Sequence, residues 1–304
     1  MELEALWLRE ASEKPAIPPM DREEAEARMQ GFQLSVSALN TYLRCPLSFF
    51  YEYVLQVPQL ESVSGLYGTA VHRALQTYFN RMRIHPENVF PHPTILPALF
   101  ETEWATLRAF IPPEDFSHRL ELGKQHLLAY AKAHQSSWTK DVRIELNLRQ
   151  VELDGVPIQG KIDKVEMLDA TTVRLVDYKT GKADAKKWRG PTDREPLGSL
   201  YWRQMAFYHL LFQASRQGNY VVQSSMLSFV NPDRKGQFAE PEIRFNTSEL
   251  EDMRKLVKDT YVNIQQQNFY TGCGESNCSW CQFAKDNALW ADLSNPDEEA
   301  LDDV

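Results

Sequence analysis

The sequence predicts an α/β protein with a central mixed β-sheet flanked by helices, a helical region before the sheet and a cysteine-rich loop after it. Helical patterns fill the first part of the chain, and alternating or β-branched runs occupy its middle. Three of the four cysteines then fall between positions 273 and 281. These three observations indicate a sheet domain with a helical subregion near its start.

Composition and charge exclude several classes of protein. The 304 residues are 43% apolar and 25% charged, as in ordinary globular proteins. The formal net charge of -9 argues against a surface that coats nucleic acid indiscriminately. The first residues lack the pattern of a signal peptide, and no apolar run is long enough to span a bilayer. We therefore expect a cytoplasmic protein.

The helices of the first half follow from apolar spacing and from capping residues. Ser35 or Ser37 is expected to cap a helix over residues 37–56, and Pro46 should bend that helix or divide it. A second helix is predicted over residues 67–82. Further helical segments are expected around residues 94–110 and 117–138.

The second half begins with strands. Residues 141–153 alternate apolar and polar side chains, and Asp154-Gly155 is a hairpin turn signal. The strands are expected at 141–153, 158–168, 173–179, 220–230 and 241–245. A helix over 200–215 separates the third strand from the fourth, and Thr247 or Ser248 should cap a long helix over 247–266. Residues 269–290 form a cysteine-bearing loop with a short helix.

One strand ends in a carboxylate and an ammonium group. Asp177 and Lys179 are two residues apart, so their side chains share one face of the strand. Asp163 lies on the strand before, close to Gly160, which would allow another backbone or a ligand to approach. Two carboxylates at one level suit Mg²⁺, and the lysine would then lie beside an attacked phosphate. For an Asp-x-Lys pair alone, a surface ion pair is the commoner explanation.

Three further residues are candidates by their place on predicted helices. His72 has small neighbours, and an imidazole would admit Mn²⁺ alongside Mg²⁺, although a lone helical histidine is usually structural. Gln204 and Tyr208 share a helix face and could reach a phosphate backbone or the lysine. The alternative places Tyr208 in the core and Gln204 in solvent. Glu145, on the strand before Asp163, is a weaker candidate.

A basic stretch follows Lys179 directly. Solvated loops often have such a charge excess, so the stretch is weak evidence alone and gains weight from its position. The candidate DNA-binding residues are Lys182, Lys186, Lys187, Arg189 and Arg203.

The cysteines indicate a metal site with a structural role. Cys273, Cys278 and Cys281 are spaced C-x(4)-C-x(2)-C, and Cys45 lies far upstream. Zinc held by four cysteines is common, but two tight pairs would be expected and only one is present. The three-plus-one arrangement suits an iron–sulfur cluster. Either metal would join the N-terminal helix to the C-terminal loop and restrict a very long chain segment.

Taken in order, these motifs resemble the RecB-type branch of the PD-(D/E)XK nuclease superfamily. They are most similar to its iron–sulfur members, the AddB-type nuclease domains and the CRISPR-adaptation nucleases. The resemblance runs from about Ser35 to about Ala284. It rests on SVSALNTYLRCPLSFFYEYVL with Cys45, GTAVH with His72, GKID with Asp163, DYK with Asp177 and Lys179, QMAFY with Gln204 and Tyr208, and the three late cysteines.

The resemblance implies a restriction-endonuclease-like fold and a Mg²⁺- or Mn²⁺-dependent deoxyribonuclease. The implied activity is that of an exonuclease in DNA repair, recombination or processing. His72, Asp163 and Asp177 would bind the metal. Asp163, Asp177, Lys179, Gln204 and Tyr208 would form the catalytic set. The four cysteines would hold a structural 4Fe–4S cluster, with zinc as the alternative occupant.

The implied partner is DNA, either single-stranded or with free ends. Related domains are often fused to a helicase, but this sequence has no G-x-x-x-x-G-K-[ST] motif. The chain would therefore be a stand-alone nuclease, or a fragment of or partner to a helicase. The implied RecB-like domain covers 34–291 and has a helical insertion at about 84–140. An acidic extension (1–33) precedes it, and an acidic tail (292–304) follows it.

Two other functions remain open on the sequence. One is a DNA-end-binding module that does not cut and that acts with a helicase. The other is a zinc-binding protein without enzymatic activity.

Overall fold

The computed structural model describes residues 15–215, 217 and 219–290. The chain divides into two compact units, one formed by 1–59 with 255–304 and the other by 60–254. The predicted tail at 292–304 and the first part of the predicted extension lie outside the described residues. Within the described ranges, no helix combines the length and the apolar character needed to cross a lipid bilayer.

The helices occupy most of the positions that the sequence predicts. In the described ranges, 3₁₀ turns are found at Arg108–Phe110 and Ala185–Trp188, and a π-helical turn, Phe50–Val54, continues α3. The helices of this part of the chain are α1 (Arg22–Arg28), α2 (Val36–Arg44), α3 (Pro46–Phe49), α4 (Val63–Ile84), α5 (Ile95–Thr106), α6 (Pro113–His134), α7 (Leu200–Ala214), α8 (Thr247–Gln265) and α9 (Ser279–Asp286).

The predicted first helix is divided at Cys45. Ser35 Oγ accepts a hydrogen bond of 3.1 Å from Ala38 N, so Ser35 is the cap of α2. Cys45 has an extended backbone, and Pro46 begins α3 at the position where its missing N–H costs nothing. The interruption of the helix therefore places Cys45 between α2 and α3.

The predicted caps of α8 are wrong by one or two residues. Asn246 Oδ1 accepts a hydrogen bond of 2.9 Å from Glu249 N, and Glu249 Oε2 accepts one of 2.9 Å from Asn246 N. This reciprocal capping box satisfies two backbone donors at once, which neither Thr247 nor Ser248 does.

The sheet is mixed, as predicted. Its strands are β1 (Val142–Leu153), β2 (Val156–Met167), β3 (Thr172–Lys179), β4 (Val221–Phe229) and β5 (Glu242–Ile243). They are ordered β1-β2-β3-β4-β5, with β3 and β4 parallel and the other pairs antiparallel. The last strand is shorter than the predicted 241–245.

Helices cover both faces of the sheet. Tyr178 of β3 packs into a large apolar core with residues of α4, α5 and α6. Its neighbour Asp177 points to the opposite face, where it meets Gln204 of α7. A Cβ at Gly160 would lie 2.8 Å from Leu211 Cδ2, so this glycine allows α7 to lie close against β2.

Candidate active site and cysteine cluster

Asp177, Lys179 and Gln204 form one hydrogen-bonded group at the end of β3. Lys179 Nζ lies 2.7 Å from Asp177 Oδ2 and donates to Gln204 Oε1 at 2.6 Å. Gln204 Nε2 donates to Asp177 Oδ1 at 2.9 Å and lies 3.4 Å from Tyr208 Oη. The helix spacing of Gln204 and Tyr208 thus brings both side chains to the predicted carboxylate–lysine pair.

Asp163 and His72 lie beside this group. Asp163 Oδ2 accepts a hydrogen bond of 2.9 Å from Tyr178 N, which joins β2 to β3 between Asp177 and Lys179. His72 Nδ1 lies 3.3 Å from Asp163 Oδ1, and His72 Nε2 lies 3.1 Å from Tyr178 O. A Cβ at Gly68 would lie 3.4 Å from Thr180 Oγ1, so the small residues of α4 let His72 approach the end of the strand.

Glu145 completes a cluster with these two residues. Ligand atoms of His72, Glu145 and Asp163 all lie within 4.8 Å of one another. The Glu145 side chain is 10% exposed and forms an ion pair with Lys161. Its φ of 52° lies in the left-handed region, and the pairing of β1 with β2 omits Glu145 and Asp163. Such strain persists where surrounding structure requires it, often at functional sites.

The electrostatics of the two aspartates differ. Burial opposes ionisation of Asp163, but His72, the Tyr178 amide and Lys179 hold the pKa of its carboxyl below the usual value. Burial and repulsion by Asp163 raise the pKa of Asp177 despite Lys179. Although burial lowers the pKa of His72, Asp163 and then Asp177 and Glu145 raise it to about 9. Carboxylates this close resist joint ionisation unless a cation compensates them.

This donor set fits a hard divalent cation. Carboxylate oxygens of Glu145 and Asp163 lie close to the His72 imidazole, which also contacts the Tyr178 carbonyl oxygen, and Asp177 lies on the neighbouring position of β3. Oxygen ligands suit Mg²⁺, and the added nitrogen suits Mn²⁺. Asp177 is 3% exposed, and the Lys179 ammonium group lies 2.7 Å from its Oδ2.

A cleft of about 570 Å³ leads to His72 and Glu145. Its walls are α4 and the β1–β2 hairpin, and its lining includes Arg73, Gln76, Asn147 and Lys161. This volume is in the range of ligand-binding clefts. The cleft therefore gives a polar substrate access to the cluster.

Four of the five predicted DNA-binding residues are exposed in the segment after β3. They are Lys182, Lys186, Lys187 and Arg189. Lys187 Nζ lies 5.8 Å from the centre of the Tyr201 ring, and Lys179 Nζ lies 4.3 Å from the same ring. Arg203 is half-buried, and its guanidinium donates to Gly198 O. Arg203 is therefore less available to a ligand than the other four.

The four cysteines meet in the first unit. Cys45 Sγ and Cys273 Sγ each lie 3.8 Å from Cys281 Sγ, and all four sulfurs lie within 4.8 Å of one another. All four are free thiols. Cys273 N donates to Cys45 Sγ at 3.3 Å. This set can hold a thiophilic metal.

The sequence provides only weak support for one residue of the candidate active-site cluster. His72, Asp163, Asp177, Lys179, Gln204 and Tyr208 come together as predicted. Glu145 was the weaker candidate because it is one of several polar residues in the alternating pattern of β1, and the pattern does not single it out as a metal ligand. Glu145 is distinguished by its left-handed backbone and by the interruption of the β1–β2 pairing opposite Asp163. Alternation of apolar and polar residues does not reveal either feature.

The family of the chain follows from comparison with known proteins. A sequence model described as the PD-(D/E)XK nuclease superfamily matches residues 33–285. Since this match covers most of the chain, the protein belongs to the PD-(D/E)XK nuclease superfamily. The sequence-based resemblance is confirmed at this level.

Individual relatives are distant. An uncharacterized protein of Rickettsia bellii is 22% identical over 170 residues, which make up 51% of this chain and 19% of that protein. The match therefore spans less than a third of that relative's length.

Solved structures support the fold. A crystal structure from Eubacterium rectale, of a protein named only as a candidate exonuclease, superposes with a TM-score of 0.55 at 10% identity. The match covers 88% of this chain and 93% of that one. A second structure, SSO0001, superposes only weakly, with a TM-score of 0.30 at 15% identity over 79% of this chain and 82% of that one. The predicted fold class is confirmed.

Proposed function

We propose that this protein is a metal-dependent deoxyribonuclease that hydrolyses phosphodiester bonds, acting as an exonuclease in DNA repair, recombination or processing. The observation that carries the proposal is the single constellation of His72, Asp163, Asp177 and Lys179. Membership of a nuclease superfamily supports it.

The metal would be Mg²⁺ or Mn²⁺, held by Asp163 and Asp177 with His72 and Glu145. When bound, the cation supplies positive charge that polarises a phosphodiester and stabilises the oxyanions of the transition state. Glu145 extends the ligand set that the sequence predicts.

Lys179 acts through its charge. Although burial lowers the pKa of Lys179, Asp177 raises it above its usual value, so the ammonium group stays protonated at neutral pH. A protonated lysine cannot accept a proton from water. Lys179 therefore stabilises the charge that develops on the phosphate and donates hydrogen bonds that orient the attacking water.

Gln204 holds Lys179 and Asp177 in register. Its amide accepts from Lys179 and donates to Asp177, so one side chain fixes both groups. Tyr208 lies behind the amide and is buried, which raises the pKa of its hydroxyl and keeps it neutral. Both residues position the reacting groups.

DNA would reach the site through the cleft between α4 and the β1–β2 hairpin. The exposed cations at Lys182, Lys186, Lys187 and Arg189 would bind backbone phosphates near the end of β3. Arg73 and Lys161 line the cleft and are also cations that would bind backbone phosphates. A helicase subunit is a further proposed partner, because related domains often act with one.

The cysteine cluster enters the proposal as a structural metal site. The four sulfurs come from both ends of the chain, so a bound metal would fasten these ends together. The 4Fe–4S cluster implied by the resemblance stays a prediction.

The test is degradation of end-labelled linear DNA, single- or double-stranded, beside circular single-stranded DNA of the same length. Each substrate is incubated with Mg²⁺, Mn²⁺ or EDTA. The proposal expects loss of linear DNA with either metal, no loss in EDTA, and survival of the circle. Cleavage of the circle would replace exonuclease by endonuclease. No cleavage of any substrate by folded protein would contradict the proposal.

A further inference from the structure

The Lys179 ammonium group has a third partner besides Asp177 and Gln204. Asp177 Oδ2 lies 2.7 Å from Lys179 Nζ, and Gln204 Oε1 accepts a hydrogen bond from it at 2.6 Å. The same nitrogen lies over the face of the Tyr201 ring, 4.3 Å from the ring centre. This distance is within the range of a cation–π contact. The ring therefore contacts the charged group on which the proposed reaction depends.

The helix α7 places Tyr201 at this position. Tyr201 and Gln204 are three residues apart on α7, so their side chains share one face of the helix. Gln204 binds Lys179, so this helix face is directed at the end of β3. The location of the Tyr201 ring thus follows from the course of the α7 backbone.

Neighbouring residues pack around the ring. The centre of the Phe229 ring, at the end of β4, lies 6.5 Å from the centre of the Tyr201 ring, and the Trp188 ring lies 5.4 Å from Phe229. A Cβ at Gly181 would lie 3.9 Å from Tyr201 Oη, so the turn after β3 passes beside the hydroxyl group. Tyr201 is therefore packed between the end of β4 and the segment that follows β3.

Burial strengthens the contact between the ring and Lys179. The Lys179 side chain is 14% exposed, and Tyr201 is half-buried. A cation–π contact gains strength where water is excluded from the cation. The exposed Lys187 ammonium group lies farther from the same ring, at 5.8 Å from its centre. Of these two lysines, Lys179 is the one that the ring binds more strongly.

The proposed reaction gives Lys179 a need for this partner. Asp177 would share its carboxylate with the bound metal ion, so Lys179 requires partners that do not bind the metal. The Gln204 amide and the Tyr201 ring meet this requirement. An aromatic face attracts a cation through its quadrupole. The ring can therefore hold the nitrogen while an N–H bond of the ammonium group is directed at a phosphate.

We propose that Tyr201 is a positioning residue that holds the Lys179 ammonium group through the face of its ring. The inference rests on the proposed nuclease function and deepens it. Tyr201 lies outside every sequence motif that carries the family resemblance.

The kinetic test compares Tyr201→Leu, which removes the ring, with Tyr201→Phe, which keeps it. Tyr201→Leu should lower kcat about tenfold with little change in KM, the scale of one buried cation–π contact. Tyr201→Phe should restore most of the rate, because the ring and not the hydroxyl group contacts the cation. Equal rates for Tyr201→Leu and the wild type, or equal losses in the two variants, would overturn the proposal.

Tyr220→Leu is the matched control. It also removes a ring from a cation, since the Arg143 guanidinium lies 5.6 Å from the centre of the Tyr220 ring. Tyr220 precedes the start of β4, at the other end of that strand from Phe229. This variant should cleave DNA like the wild type. A loss of kcat equal to that of Tyr201→Leu would assign the effect to general packing and overturn the proposal.

A double-mutant cycle tests the contact without relying on cleavage. Unfolding by urea, without metal or DNA, is measured for the wild type, Tyr201→Leu, Lys179→Met and the double variant. Tyr201→Leu should lower the unfolding midpoint more in the presence of Lys179 than in the Lys179→Met background, because residues in contact are not additive. Equal shifts in both backgrounds would overturn the proposal.

The two measurements separate failure of this inference from failure of the proposed function. Coupling in the cycle without DNA cleavage by the wild type would support the ring contact and contradict the nuclease function. Cleavage by the wild type without coupling in the cycle would overturn this inference alone.

Discussion

Gln204 Nε2 donates a hydrogen bond of 2.9 Å to Asp177 Oδ1. The oxygen of the same amide accepts a hydrogen bond from Lys179 Nζ at 2.6 Å. Only one orientation of the amide places its oxygen at the ammonium group and its nitrogen at the carboxylate. The helix α7 thereby fixes the geometry of the two strand residues. We therefore assign Gln204 a positioning role.

Gln204→Ala should lower kcat by about 10–100-fold, the range expected when an outer-shell partner is lost. Binding of DNA should change little, because the amide contacts the protein groups rather than the substrate in this assignment. Gln213→Ala is the matched control, since Gln213 lies on α7 with an exposed side chain. A large rise in KM with unchanged kcat would refute the positioning role.

Glu145→Gln should weaken Mn²⁺ binding by at least about tenfold, since loss of an outer-shell partner already has that scale. The substitution keeps size and removes the charge beside His72 and Asp163. The readout is calorimetric titration with Mn²⁺ alone. Glu152→Gln, exposed on the same strand, is the control. Identical Mn²⁺ affinities for both variants would remove Glu145 from the ligand set.

Glu166→Gln should cost about 3–5 kcal/mol of unfolding free energy, because it leaves a buried cation unpaired. Glu166 is 2% exposed and pairs with Lys164 at 2.8 Å and with Arg174 at 2.6 Å. Replacing both buried partners, as Lys164→Met with Glu166→Leu, should recover much of the loss. Glu121→Gln, at an exposed ion pair with Lys124, should change stability by about 1 kcal/mol or less.

The same pair predicts a dependence on pH. Although burial opposes its ionisation, Lys164 and Arg174 lower the pKa of Glu166 below its usual 4.5. Burial also lowers the pKa of Lys164 despite the attraction of Glu166. The Glu166 contribution is therefore complete above pH 4.5 and is lost as pH falls through the folded value. Denaturant unfolding should show the Glu166→Gln deficit shrinking in acid, and a constant deficit would count against the ion pair.

The double variant Lys186→Ala/Lys187→Ala should weaken DNA binding and reduce its dependence on salt. Each lost phosphate contact lowers the slope of log affinity against log salt by about 0.7–0.9. Fluorescence anisotropy in EDTA measures binding without cleavage. Lys255→Ala/Lys258→Ala, which removes the same charge from exposed positions of α8, should leave the slope unchanged. Equal salt slopes for the two double variants would show that Lys186 and Lys187 do not contact the DNA.

Much of the fold could be predicted because it depends on local signals. The strand over Val142–Leu153 and the helix over Leu200–Ala214 follow from side-chain periodicity. The motif residues could be placed because strands bring neighbouring carboxylates to one level. The Asn246 cap was not predicted because Asn246, Thr247 and Ser248 are all residue types that can cap a helix. The reciprocal hydrogen bonds with Glu249 that select Asn246 are seen only in the structure.

Glu145 could not be predicted with the same strength. Alternation along β1 gives it no special place, and its position depends on a left-handed backbone opposite Asp163. The spacing of the cysteine sulfurs is likewise a tertiary property. Sequence indicates that Cys45 and the late cysteines could share a metal, whereas only the folded chain shows that their four sulfurs lie within 4.8 Å of one another.

The role of Asp177 and Lys179 in cleavage is tested by comparing two double variants in a metal-dependent DNA cleavage assay. Asp177→Asn/Lys179→Met alters the proposed catalytic pair, and Asp259→Asn/Lys258→Met makes the same chemical change at exposed residues of α8. We predict that the first variant loses at least about 10²–10³-fold of the rate while remaining folded, and that the second cuts like wild type. Equal cleavage by both variants would contradict the assignment of this site as the nuclease centre.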